Sequence, residues 1–187
     1  MEYVVPIKDI RKINKIKSIL KSSSKRDYAL FVLGINTGIK AQELLRLKVK
    51  DVWNGEKGKE FLYIDSKKTE KREAYYLNDR VHEALHFYLE EGNLELEDYL
   101  FRSRRDNKPI TRQQAYRIIN QAAREAGIEG NIGTHTMRKT FGYHAYRKGV
   151  AISILMSLFH HHSRAETLKY IGITEEEKNQ IKVDVNL

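Results

Sequence analysis

The chain has 187 residues, and its 34 Lys and Arg against 25 Asp and Glu leave a formal charge of +9. With 41% hydrophobic residues, among them 11 Tyr and 6 Phe, it holds the material of one domain with a real core, which excludes a disordered basic tail. It has no cysteine, so disulfides, thiolate metal sites and cysteine nucleophiles are excluded together, and a reducing, cytoplasmic setting is the expectation.

The longest apolar runs, 28–35 and 152–159, fall far below the roughly 20 residues that span a bilayer. Residues 1–6 lead straight into a Lys-rich segment rather than into the apolar stretch of a signal peptide. A folded polyanion binder is the leading class, and by charge alone nucleic acid, an acidic membrane surface and an acidic protein are equivalent partners.

In chain order, residues 7–22 carry Ile10, Ile13, Ile16, Ile19 and Leu20 at helical spacing with Lys and Arg opposite, which predicts an amphipathic basic helix. Its lack of Trp and Phe argues against insertion into lipid. Ser22, Ser23 and Ser24 break it, and a second, more apolar and buried helix is predicted over 27–36, ending where Gly38 supplies a left-handed cap. A short helix at 41–47 follows, then a lead-out at 49–52. Two strand-like runs, 60–65 and 73–77, flank a polar Lys-rich turn. Residues 78–91 read as a helix capped by Asn78 or Asp79 and stopped by Gly92. Another helix is predicted over 111–126, where Thr111 and Gln114 have capping-box spacing. Helical patterns at 134–148, 153–159 and 165–170 precede a polar tail from Thr174. The pattern predicts one mainly α domain with a small antiparallel hairpin or three-stranded sheet, without internal repeats or a linker.

The residues that bear chemistry are spread along the chain. His135 and Arg138, in His135-Thr136-Met137-Arg138, stand at i and i+3 on one helix face, where a proton carrier beside a guanidinium fork suits a phosphate. By itself this pair reads no differently from a solvated basic helix. Downstream come His160-His161-His162-Ser163 and, nine residues after His161, Tyr170. Upstream, 36–44 reads Asn-Thr-Gly-Ile-Lys-Ala-Gln-Glu-Leu, and Lys67-Lys68-Thr69 fills the hairpin turn.

This ordered set resembles the catalytic domain of the tyrosine recombinase, or phage integrase, family over about residues 27–173. Residues 37–45 resemble its first box, 135–142 its H-x-x-R box, and 158–163 its L-G-H-S-S-like stretch. The resemblance implies a mainly α fold with a small antiparallel sheet, and DNA strand transfer without a metal or nucleotide cofactor. Tyr170 would be the nucleophile that forms a 3′-phosphotyrosyl link and conserves bond energy for resealing. Arg138 would clamp nonbridging oxygens, with His135 and His161 donating hydrogen bonds or moving protons. Lys68, placed before Thr69, matches the lysine that protonates the leaving 5′-oxygen. Glu43 matches an acidic residue that orients its neighbours, and a plain surface Glu fits nearly as well.

Two positions depart from the family pattern. Lys40 stands where the family has an arginine, a point charge in place of a two-pronged donor. A charge-assisted hydrogen bond is worth roughly 1.5–3 kcal/mol, so one lost prong would slow cleavage by about ten- to a hundredfold. His160 stands where the family more often has Gly or Asn before the single His. A metal site at the triple His is disfavoured, because consecutive residues point in different directions.

Arg102, Arg104, Arg105, Lys108 and Arg112 form a basic stretch that reads equally as a DNA phosphate contact and as a solvated loop. Tyr75, Tyr76, Tyr88, Tyr116, Tyr143 and Tyr146 read as packing residues. The family implies double-stranded DNA as partner, assembly into a dimer or tetramer on it, accessory DNA-bending proteins, no membrane, and a cytoplasmic, DNA-associated location. Residues 1–187 read as one catalytic domain without the family's N-terminal DNA-clamping domain, either as a fragment or as a short member. The tail 174–187 is exchanged between protomers by analogy, or folds back on its own domain.

Three classes compete. The first is a site-specific recombinase or integrase, with a topoisomerase-like relaxing enzyme as near neighbour. The second is a DNA-binding accessory or regulatory protein with weakened or lost cleavage, favoured by Lys40. The third is a basic scaffold or RNA-binding module with an accidental motif match. A cleft that gathers Lys40, Lys68, His135, Arg138 and His161 within reach of Tyr170 separates the first two from the third.

Overall fold

In the computed structural model, which describes residues 3–66, 70–182 and 184–187, the helices fall close to their expected places, apart from two short ones at 49–52 and 175–178 that the pattern does not predict. They are α1 (Ile10–Ser23), α2 (Lys25–Thr37), α3 (Ala41–Leu45), α4 (Val49–Val52), α5 (Asp79–Leu89), α6 (Arg112–Glu125), α7 (Thr134–Arg147), α8 (Ile152–Phe159), α9 (Arg164–Tyr170) and α10 (Glu175–Lys178). Strands β1 (Phe61–Asp65) and β2 (Arg72–Tyr76) pair antiparallel, Phe61 opposite Tyr76 and Asp65 opposite Arg72. Of the two sheet sizes expected, the two-stranded one is formed among the described residues; Lys48 and Tyr99 add only an isolated bridge.

Local chemistry explains the boundaries. Helix α1 starts three residues later than its apolar pattern because the Asp9 carboxylate accepts from the Arg11 N–H at 2.8 Å and caps it there. Ser24 closes α1 through its own N–H and opens α2 through its side chain. Gly38 ends α2 at φ 70°, and a Cβ there would run into the Phe141 ring, so both backbone and space demand glycine. The capping box expected at α6 forms, with Thr111 Oγ1 accepting from Gln114 N–H and Gln114 Oε1 from Thr111 N–H. Two segments differ from expectation. Residues 49–52 close into the helical turn α4, and the polar tail begins with α10, where Thr174 and Glu177 repeat the same box.

Two hydrophobic clusters organise the chain. The larger gathers Ile13, Ile16 and Leu20 of α1, residues 28–33 of α2, Leu44, Leu62, Leu85, Ile119 and Met137. The smaller holds Tyr143, Tyr146, Leu155, Phe159, Leu168, Ile171 and Ile173 from α7, α8, α9 and the turn after it. Helix α7 belongs to both, and the N-terminal segment straps it: Thr140 Oγ1 accepts from Ile7 N–H at 2.9 Å, and Lys139 Nζ donates to the Val4 carbonyl at 3.0 Å. Of the six tyrosines expected to pack, Tyr75, Tyr143 and Tyr146 are buried and Tyr88 half-buried, while Tyr76 and Tyr116 are exposed.

Candidate active site

Arg138 lies where the two clusters meet, and its side chain is 5% exposed as a residue. Its Nη1 donates to the Gly38 carbonyl at 2.7 Å and its Nη2 to the Leu158 carbonyl at 3.2 Å. The first of these comes from the left-handed turn after α2, the second from the last turn of α8. One guanidinium therefore ties the first box to the His161 loop while its charge stays in the protein. Its carbon sits 4.8 Å from the centre of the Phe159 ring, which forms one wall of the site.

The same ring receives the other two chemical groups. Tyr170 ends α9 with its ring centre 5.3 Å from Phe159 and 5.0 Å from the His161 ring, in an edge-on contact with the latter. His161 lies 5.6 Å from Phe159. Burial raises the Tyr170 pKa above its ordinary 10.0, and the nearby Arg138 charge and hydrogen bond oppose that shift. At neutral pH the tyrosine is thus a phenol that needs a base.

His161 is the imidazole beside it. Thr167 Oγ1 donates to the Ser163 carbonyl at 3.3 Å, so it accepts from the His161 Nδ1–H at 2.9 Å. That assignment places the ring's lone pair on Nε2. Burial lowers the His161 pKa below 6.5; Glu166 opposes, while Arg138, His160 and His162 push the same way. His135, exposed in the first turn of α7, is also lowered, by desolvation first and then by the positive charges of Arg112, Lys139 and Arg138. Both imidazoles are neutral at pH 7.

Of the three consecutive histidines, His160 Nε2 pairs with Glu73 on β2 and the His161 ring with Thr167, while the His162 backbone N–H donates to the Glu166 carboxylate at 3.0 Å. Among the described residues no group of three or more His, Cys, Asp or Glu is placed to hold a metal.

Lys40 is exposed as the residue before α3, two positions beyond Gly38, so the first box reaches the Arg138 side of the site. Glu43 is half-buried on α3, close enough to the buried Tyr75 hydroxyl for its charge to act there. Lys67, Lys68 and Thr69 lie outside the described residues, so the expected leaving-group lysine has no position to compare. Arg112, at the start of α6, belongs to the charge environment of His135.

The rest of the basic stretch lies elsewhere. Arg102 pairs with Asp98 at 3.2 Å, and its carbonyl accepts from Arg26. With Lys21, Lys25, Arg26 and Arg104 it surrounds a cleft of about 400 Å³ at the N-terminal end of α2. The catalytic group sits at the other end of that helix, roughly 20 Å away at 1.5 Å per residue. Arg104, Arg105 and Lys108 are exposed in the turn bridged by Arg102 and Pro109.

Two functional neighbours escaped sequence reasoning. Lys139 is 6% exposed with Nζ 4.9 Å from the centre of the Tyr170 ring, and its pKa is lowered by burial. A lysine on a basic helix carries no sign that it will be buried. Thr167, which orients His161, shows only a one-turn spacing from Ser163.

Comparison with known proteins shows the family. The phage integrase family model matches residues 4–177, and the chain belongs to that family, whose members are tyrosine-type DNA strand transferases. It is 40% identical over 176 residues to the probable integrase/recombinase YoeC of Bacillus subtilis (strain 168), covering 94% of this chain and 93% of that protein. A tyrosine recombinase of Pseudothermotoga lettingae is 30% identical over 167 residues, covering 88% of this chain but only 56% of its own length. The crystal structure of XerA recombinase shares the fold with a TM-score of 0.76 at 24% identity, over 94% of this chain and 62% of that one. A post-cleavage complex of XerH with a palindromic difH substrate matches with a TM-score of 0.72 at 18% identity, over 95% and 52%. The relatives carry recombinase and integrase names, which favours the enzyme class over the accessory-protein class. Among the described residues no helix is long and apolar enough to cross a membrane.

Proposed function

We propose that this protein is a site-specific recombinase or integrase that cleaves and rejoins double-stranded DNA through a 3′-phosphotyrosyl link on Tyr170. The observation that carries the reading is the meeting of Arg138, His161 and Tyr170 on the Phe159 ring, from three separate segments. In the forward step the Tyr170 oxygen attacks phosphorus and its proton passes to His161 Nε2. The bond from phosphorus to the 5′-oxygen breaks, and that oxygen takes a proton from Lys68. Arg138 keeps two N–H groups on backbone carbonyls and turns the others to the phosphoryl oxygens, with His135 and Lys40 alongside. Attack by another strand's 5′-hydroxyl reverses each transfer and reseals the backbone.

The net charge of +9 draws the chain to the duplex, and Arg112 extends the phosphate contact from the site itself, while Arg102, Arg104, Arg105 and Lys108 contact a more distant stretch. Residues 1–187 act as one catalytic domain that assembles as a dimer or tetramer on DNA in the cytoplasm, with accessory DNA-bending proteins as further partners. The tail 174–187, in which Val185 and Leu187 are exposed, is the element exchanged between protomers.

The test uses a library of nicked suicide duplexes with randomised sites, followed by denaturation and mass spectrometry of DNA-linked peptide. The expected result is an adduct on Tyr170 that is absent from Tyr170→Phe, and a rate about tenfold higher in Lys40→Arg, which restores a second prong. DNA binding without an adduct from wild type or Lys40→Arg overturns the reading.

A further inference from the structure

His160 holds a backbone conformation that its side chain does not favour. It closes α8 at φ 57° and ψ 39°, the left-handed region that glycine adopts without cost. Its ring reaches away from α8 to the hairpin, where Nε2 lies 2.9 Å from Glu73 Oε1. The other carboxylate oxygen of Glu73 accepts from the buried Tyr75 hydroxyl at 2.8 Å. Both partners are largely covered, with side-chain exposures of 33% for His160 and 22% for Glu73. A cleft of about 590 Å³ otherwise separates β2 from α8, lined by Lys71, Ala74, Ser153 and Ser157. The contact is therefore a bridge across a gap between two elements.

One end of that bridge adjoins the site and the other lies on the hairpin. His160 precedes His161, whose N–H bonds back to Met156, so the two share one turn. Glu73 is the second residue of β2, directly after the turn of the sequence that carries Lys68. Arg138 already anchors the α8 end from below through the Leu158 carbonyl. We propose that Glu73 and His160 are positioning residues that clasp β2 to the His161 loop, so that the His161 ring is held in place beside Tyr170. The inference rests on the proposed recombinase chemistry and extends it to two residues that touch neither the phosphate nor Tyr170. Backbone cost at His160 is tolerated because only a side chain there can reach the carboxylate.

His160→Gly separates positioning from stability, because it removes the clasp and relieves the left-handed backbone at once. The experiment measures single-turnover adduct formation at saturating DNA, DNA affinity and thermal stability for wild type, Glu73→Ala, Glu73→Gln, His160→Gly and the double variant Glu73→Ala/His160→Gly. Expected is a rate about tenfold lower for Glu73→Ala and for His160→Gly alike, no further loss in the double variant, unchanged DNA affinity, and a melting temperature that falls in Glu73→Ala, where the Tyr75 hydroxyl loses its acceptor, but not in His160→Gly. Glu73→Gln, whose carbonyl oxygen can still accept from His160 while its amide N–H donates to the Tyr75 hydroxyl, stays within about twofold of wild type. Unchanged rates, additive losses, or losses that track melting temperature overturn the clasp. If wild type forms no Tyr170 adduct at all, the recombinase reading fails on its own. The clasp is then judged without DNA by amide exchange in β1 and β2, where faster exchange in His160→Gly supports it and unchanged exchange overturns it.

Discussion

The two hydrophobic clusters divide the labour of the site unequally. The larger one, built around α2, holds the first box, Gly38 and the N-terminal half of α7, and it contains most of the fully buried side chains. The smaller one has seven buried residues, yet it carries Phe159, the His161 loop and Tyr170. In the proposed chemistry the phosphate-gripping half stands on the larger core and the nucleophile on the smaller one, whose fewer buried residues predict local opening at lower free energy. Arg138 joins them through one carbonyl on each side. A nucleophile that must leave its phenol state, attack and later be released gains from a support that can shift without unfolding the scaffold.

The largest expected effect comes from cutting that joint. Arg138→Ala should lower adduct formation by about a hundred- to a thousandfold. It should also cost about 2–3 kcal/mol in denaturant melts, since the Gly38 and Leu158 carbonyls lose their donors. Equal stability with lost activity would show the clamp to be chemical only.

Phe159→Ala and Phe31→Ala make the same change in the two clusters, each costing about 3–5 kcal/mol if the effects are equivalent. Amide exchange distinguishes the sites: Phe159→Ala should speed exchange in α8 and α9 alone, while Phe31→Ala should speed it throughout. Exchange spread evenly in both variants would make the clusters one cooperative unit.

Glycine substitutions sharpen the same contrast. At Gly142 a Cβ would stand 2.5 Å from Ile171 Cγ2 and 2.8 Å from the Phe159 ring, both stiff side chains. At Gly34 it would meet Met137 Sδ at 2.5 Å, a chain that can turn aside. Gly142→Ala should therefore cost about 1–3 kcal/mol and slow the adduct, and Gly34→Ala should cost less. Melting curves of both variants rank them.

The smallest effect is on the acid side. Burial alone would raise the Glu177 pKa, but the Thr174 N–H, the Tyr143 hydroxyl and Lys8 outweigh it and hold the group at about 2. A depressed carboxylate adds stability above its unfolded value of 4.5, lost as pH falls from there towards 2. Glu177 links the N-terminal segment, α7 and α10. Glu177→Gln should flatten the fall of melting temperature over that window, and a slope equal to wild type would show that other carboxylates carry it.

The order of elements was legible because each helix announces itself locally. Ile13, Ile16 and Leu20 mark the buried face of α1, and Thr111 with Gln114 opens α6 as expected. Helix α10 was passed over although Thr174 and Glu177 have the same box, because its four residues leave no apolar stripe to count. In the site, His135, Arg138, His161 and Tyr170 were legible through their order and intervals, and Arg138, His161 and Tyr170 do converge. Lys139, Thr167 and the Glu73 to His160 contact were not, since each depends on a neighbour distant in sequence or on burial that composition does not encode.

By itself the sequence determined the charge, the helical periods, the caps and the spacing of the motifs, all of which act over a few residues. Only the tertiary structure decided that Arg138 would be buried between two carbonyls, that burial would raise the Tyr170 pKa, and that His160 would turn to Glu73. Those outcomes depend on packing between segments up to about a hundred residues apart, where desolvation and hydrogen-bond partners are set by the fold as a whole.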